Sequence, residues 1–239
     1  MEKVICALWK PEAEARENFN ARILADLPDQ LAAAGASGVR INVEDDLTDT
    51  GAALRQTRGA PQHQATIQFW MPSANTIFRG NVDATLSAAG ARFAAWLVLE
   101  STILPNQDHP PKKATRNWGW AQMAFLIRPE RLTFDEWLAV WQDHHTRVAI
   151  ETQSNFEYVQ NIVIRALTPD APPYAAIVEE CFPESALSDP FVFFDAVGDP
   201  DKFNANLATM MDSCDRFIDR GTIDVIPTSQ YNFSQDPRP

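Results

Sequence analysis

The sequence predicts an α+β fold built from two tandem β-α-β-β-α-β units that pack sheet on sheet into one α/β barrel. Three observations carry that prediction. Strand and helix periodicities alternate in this order over residues 1–104. The same order returns over 118–239, after a polar, proline-rich connector at 105–117. A short pattern, Leu8-Trp9-Lys10-Pro11-Glu12, also recurs as Leu126-Ile127-Arg128-Pro129-Glu130.

The elements follow from local patterns. Val4 to Trp9 is an apolar run closed by Lys10-Pro11, which suits a buried strand. From Ala13 to Ala34 the period turns helical, with Phe19, Ile23, Leu27 and Leu31 on one face and Gly35 and Gly38 as stops. Val39, Ile41 and Val43 alternate with polar residues as a half-buried strand; residues 45–64 are polar and aperiodic, a loop. Ala65 to Met71 is the third strand. A second helix is expected from Asn81 or Asp83 to Phe93, and a fourth strand from Ala94 to Leu104. In the second unit, strands are expected at Trp120–Ile127, Phe156–Leu167, Tyr174–Phe182 and Thr222–Phe233. Helices are expected at Thr133–Thr152 and Asp201–Asp219, with a short extra one around Phe191–Phe194. Asp236 to Pro239 reads as a flexible tail. Each unit places both helices on one sheet face, the ferredoxin-like arrangement, so the bare faces must cover each other. The barrel interior is then the expected ligand cavity.

Composition narrows the function. Hydrophobic residues make up 45% of 239 and charged residues 22%, the balance of a soluble globular protein. A net charge of −12, from 20 Lys and Arg against 32 Asp and Glu, argues against nucleic-acid partners. No apolar run reaches the roughly 18 residues of a membrane span, and no signal-peptide pattern opens the chain, so a cytoplasmic location is expected. Cys6, Cys181 and Cys214 are too few and scattered for a disulfide framework or a zinc site. No Gly-rich phosphate loop appears, so no nucleotide cofactor is expected, and no metal. A fused pair of units leaves two oligomeric states open: a monomer with an internal pseudo-dimer, or a homodimer.

The most unusual stretch runs from Thr133 to Arg147. Thr133 and Glu136 fit a capping box, and Trp137, Trp141, His144, His145 and Val148 fall within one broad helix face, with Asp143 pointing away. An imidazole is the default proton shuttle near neutral pH, although a single core-facing His is more often a satisfied packing residue. In the repeat register Phe19, Ile23 and Leu27 stand opposite Trp137, Trp141 and His145, so polarity in the second copy replaces packing in the first. In the next strand Tyr158 and Gln160 share one face, and Val159, Asn161 and Val163 the other. Amides there need hydrogen-bond partners, which a loop or a ligand can supply. Glu179 and Glu180 end a strand, and at least one is expected to face solvent.

Trp141-Gln142-Asp143-His144-His145, followed by Tyr158-Val159-Gln160-Asn161, resembles the signature of the EthD family in the dimeric α/β-barrel superfamily. The resemblance covers about residues 120–233, with Asp215 to Asp219 matching the closing pattern. It departs after His145, where Thr146-Arg147 replaces the common Ala-Pro. The resemblance implies a cofactor-independent enzyme acting by proton transfer on a small hydrophobic, aromatic or polyketide-like compound, through lyase, isomerase or cyclase chemistry. His145, Tyr158 and His144 would then be catalytic, with Asn161, Gln160, Asp143 and Trp141 around the substrate. Two other readings stay open: a non-catalytic hydrophobic-ligand binder, and an oxidoreductase or monooxygenase.

Overall fold

A computed structural model describes residues 1–234, so the expected tail at Asp236–Pro239 lies outside the described residues. Eight strands close one antiparallel barrel within the chain: β1 (Glu2–Trp9), β2 (Ser37–Val43), β3 (Ala65–Met71), β4 (Arg92–Leu104), β5 (Trp120–Leu126), β6 (Glu157–Ala166), β7 (Ala176–Phe182) and β8 (Asp224–Asn232). Around the barrel they run β1-β3-β2-β8-β5-β7-β6-β4. The first half thus supplies β4-β1-β3-β2 and the second β8-β5-β7-β6. The halves are also stitched edge to edge, β2 to β8 and β4 to β6, which removes the open edges that face packing alone would leave.

Helices coat the outside: α1 (Arg16–Ala33), α2 (Thr76–Ala89), α3 (Phe134–Ala139), α4 (Thr146–Thr152), α5 (Pro190–Phe193) and α6 (Pro200–Phe217). Among the described residues none is long and apolar enough to cross a membrane. Phe19, Ile23, Leu27 and Leu31 of α1 are all buried against the sheet, and Gly35, at φ +97°, turns the chain out of the helix. Two boundaries differ from expectation. Helix α2 begins at Thr76 rather than near Asn81, because Arg79 is drawn in by bonds to Asp83 and to the Ala74 and Leu167 carbonyls. It stops at Ala89, where Gly90 turns extended and packs so close to Leu8 and the Trp9 carbonyl that no side chain fits. The long helix after Thr133 is broken by a π-helical segment, Val140–His145, between α3 and α4.

Strand alternation sends one set of side chains into the barrel and the other under the helices. At one end Ile5, Trp96, Met123, Phe125, Ile177 and Ile226 fill the barrel, so the expected interior cavity does not run through it. Large aromatic and branched side chains pointing inward from both halves leave no lumen there. The other end is polar. Arg40 reaches Glu179 at 2.7 Å and Glu157 at 3.0 Å, and Lys3 reaches Glu100 at 2.6 Å. Glu179 also accepts from Asn42, Gln68 and Gln230. The connector folds over this end, where Ala114 and Asn117 bond the backbone of β8. Both Glu179 and Glu180 are buried, contrary to the expectation of one facing solvent, because each face of β7 is covered. One lies inside the barrel and the other lies under the helices.

Candidate functional site

The second helical layer is assembled by local rules. Thr133 Oγ1 accepts from the Glu136 N–H, and the Glu136 carboxylate accepts from the Thr133 N–H, closing the expected capping box. Trp137 then donates its indole N–H to the Phe217 carbonyl at 3.1 Å, locking this helix to α6. At Val140 the winding widens. The Thr146 N–H bonds to the Trp141 carbonyl, five residues back, and the Thr146 hydroxyl donates to the same carbonyl at 3.0 Å. Such a π turn inserts a residue into the helix and re-aims the side chains after it.

Within that turn Trp141 is fully buried, Asp143 is exposed, and His144 and His145 are half-buried. His145 lies against α6, its Nδ1 2.9 Å from Ser213 Oγ and its ring on Phe217 at 4.5 Å between centroids. Burial, with His144 beside it, lowers the His145 pKa to about 4, so the imidazole is neutral at pH 7. The Nε2 of His144 is enclosed and has no hydrogen-bond partner among the described residues.

Beneath the turn, Gln160 donates to Thr146 Oγ1 at 2.7 Å and to Tyr158 Oη at 2.9 Å, while Gln142 lies 3.4 Å from the Gln160 carbonyl. Tyr158 is buried and its pKa is raised, chiefly by desolvation and then by Glu180. Its hydroxyl accepts from Gln160 and is also hydrogen-bonded to the side chains of Trp141 and Thr146. Glu180, opposite Tyr158 across the β6–β7 ladder, accepts from Gln122 and Asn155 at 3.1 Å each. Those two bonds only partly offset desolvation, and the Glu180 pKa rises to about 7. Burial and Glu180 together push the Cys214 thiol on α6 up to about 12.

The structure therefore splits the residues expected at the site. Trp141, Tyr158 and Gln160 meet around Thr146, whereas His145 is turned toward α6. Asn161 is on the other face of β6, inside the barrel, bonded to Lys3 Nζ at 2.9 Å and to the Ile177 carbonyl at 3.1 Å. One cavity opens at the polar barrel end and another on the surface beside Arg16 and Tyr231, and neither is lined by His144, His145 or Tyr158. Among the described residues no group of His, Cys, Asp or Glu is arranged to hold a metal ion. Glu180, Thr146 and Ser213 were not expected here. Adjacent glutamates in a strand covered on both faces were the available signal, since one must enter each layer.

Residues 129–221 match the model of the EthD domain, and this stretch holds the π turn, Tyr158, Glu180 and Ser213. A solved structure described as an anthrone oxidase-like protein aligns over 98% of this chain and 93% of its own, with a TM-score of 0.54 and 9% identity. A "putative monooxygenase" from Lactobacillus acidophilus NCFM aligns over 98% and 96%, with a TM-score of 0.49 and 9% identity. A search of curated protein sequences gives no match. At such identity the first of these likenesses concerns the fold alone.

Proposed function

We propose that the EthD domain at residues 129–221 acts on a small, mostly apolar, aromatic or polyketide-like molecule by moving a proton, with no bound cofactor needed for that step. One observation carries this reading. The layer between sheet and helices holds two buried ionisable groups, Glu180 and Tyr158, with the enclosed Nε2 of the half-buried His144, among tryptophans and aliphatic side chains. A carboxylate with a pKa near 7 in an apolar surround is poised as a general base at neutral pH. In this scheme Glu180 takes the proton from an acidic C–H or phenol. The neutral Tyr158 hydroxyl donates to the oxygen on which charge develops. Gln160 and Thr146 hold Tyr158 in place, and His145, neutral and braced by Ser213, supports the π turn or relays the proton onward. Lyase, isomerase, cyclase and dioxygen-dependent oxidation chemistry all share this first step, and the name of the anthrone oxidase-like neighbour fits a substrate of that class.

The same reading takes the chain as a tandem pair of ferredoxin-like units, supported by the shared strand order of its halves and the recurrence of Leu8–Glu12 at Leu126–Glu130. A second reading, a domain that holds a hydrophobic ligand without changing it, draws on the engagement of His145 by Ser213 and Phe217.

Anthrone in deuterated buffer separates the two. Its acidic methylene exchanges protons whether or not oxidation follows, and exchange is read by NMR with oxygen excluded. Proton-transfer function predicts accelerated exchange, reduced about 10²- to 10⁴-fold in Glu180→Gln and less in Tyr158→Phe. Binding without acceleration would move the assignment to the carrier reading.

A further inference from the structure

The polar end of the barrel belongs to neither the helical layer nor the apolar plug. It opens into a cavity of 240 Å³ lined by Lys3, Arg40, Gln68, Trp70 and Glu157, with Pro105, Asn106 and Pro111 of the connector as an outer wall. At about 30 Å³ per water in the liquid, that volume suits a ligand of several heavy atoms.

Two acceptors facing this cavity are underused. Gln68 is 2% exposed, and its Oε1 has no partner among the described residues. Its orientation is dictated by its neighbours: the amide nitrogen must point at Glu179 Oε2 (2.9 Å) and Asn42 Oδ1 (3.2 Å), both acceptors, so the oxygen is left over. Glu157 gives Oε1 to Arg40 at 3.0 Å, but Oε2 has only long contacts, Asn106 at 3.5 Å and the Cys181 thiol at 3.6 Å. Among the described residues Lys3 pairs with Glu100, while Glu157 and Glu179 share a single guanidinium, that of Arg40. Two carboxylates on one guanidinium make that group net negative, in a molecule of net charge −12. Trp70 and two prolines add apolar walls.

Underused acceptors, excess negative charge and an aromatic wall call for a ligand with N–H donors, positive charge and an apolar body. We propose that this barrel mouth is a second binding site, which takes a small organic cation of the primary amine or guanidinium class. Its N–H groups bond Gln68 Oε1 and Glu157 Oε2, and its carbon skeleton lies against Trp70. The sheet separates this site from the helical layer, so the proposal stands whether or not the EthD domain moves protons.

Titration calorimetry on the full chain with phenethylamine, and with 2-phenylethanol and phenylacetate as neutral and anionic counterparts of similar shape, tests it. The amine should bind at least about tenfold more tightly than the alcohol, and phenylacetate most weakly. Glu157→Gln should cost the amine about tenfold. Asn106→Asp, on the half-buried connector wall, keeps the oxygen that accepts from the His109 N–H and should tighten the amine several-fold more than the alcohol. Equal affinity for amine and alcohol, an unresponsive Asn106→Asp, or a soaked crystal showing only waters between Gln68 and Glu157 would overturn the proposal.

Discussion

The two helical layers of this barrel solve the same packing problem with different chemistry. Aligned through their ladders, Val4, Phe69 and Ile41 in the first half occupy the places of Gln122, Glu180 and Gln160 in the second. The first set belongs to a continuous apolar core with Phe19, Ile23 and Leu27. The second set is a polar group held by Asn155, Thr146 and Tyr158. Glu180 and Gln160 are buried as Phe69 and Ile41 are, and Gln122 is half-buried, so exposure alone does not separate the two layers. A layer made only of hydrocarbon gains stability from every residue. A layer that must desolvate a carboxylate loses some of it. The contrast sets the layer of the second half apart on grounds independent of any resemblance.

The sharpest way to break the comparison is to make the first layer look like the second. Phe69→Glu puts a carboxylate among aliphatic side chains with no counterpart of Gln122 or Asn155 to donate to it. The expected loss is about 4 kcal/mol or more, enough to prevent folding in a marginal domain, while Phe69→Leu should cost about 1 kcal/mol. Urea unfolding gives both numbers. A folded Phe69→Glu protein that loses little would mean the first layer admits water, and the contrast between the halves would dissolve.

The next effect concerns Glu180. Its native pKa, about 7, lies above the unfolded value near 4.5, so the folded state binds the proton more tightly. Its contribution is therefore whole below pH 4.5 and is lost as pH rises through 7. The full swing is about 3 kcal/mol, from about 1.4 kcal/mol per unit. Glu180→Gln should remove this decline. Wild type minus variant stability, followed from pH 5 to 8, isolates it from His145, whose slope has the opposite sign. A flat difference would show that Gln122 and Asn155 compensate the buried charge, leaving no base near neutrality.

These contrasts were partly legible in the residues. The α1 face of Phe19, Ile23, Leu27 and Leu31 needed only helical spacing, and β3 from Ala65 to Met71 needed only an apolar run ended by Pro72. The placement of Tyr158 and Gln160 together, with Asn161 opposite, followed from the two-residue period of a strand. Three things were hidden. The start of α2 depends on Arg79 reaching the Leu167 carbonyl, a contact across 88 positions. The π turn depends on Thr146 bonding back to Trp141, which helical periodicity does not encode. The layer that each glutamate of β7 enters depends on barrel closure, a property of all eight strands together. The barrel mouth was hidden for the same reason, since Lys3, Arg40, Gln68 and Glu157 come from four strands.

The smallest expected effect sharpens the role of His145. The histidine is neutral in the native state because its pKa, about 4, lies below the unfolded value near 6.5. Its contribution is present above pH 6.5 and is lost as pH falls toward 4. Ser213→Ala deletes the hydroxyl 2.9 Å from Nδ1 without opening a large hole, at an expected cost of about 1 kcal/mol. Desolvation, not Ser213, is the main cause of the lowered pKa, so the His145 ring resonances should still titrate well below 6 in the variant. If they move up to 6 or above, Ser213 was excluding water from the ring. His145 would then become a group able to exchange protons at neutral pH. If they stay, His145 braces α6 against the turn, and the proton falls to Glu180.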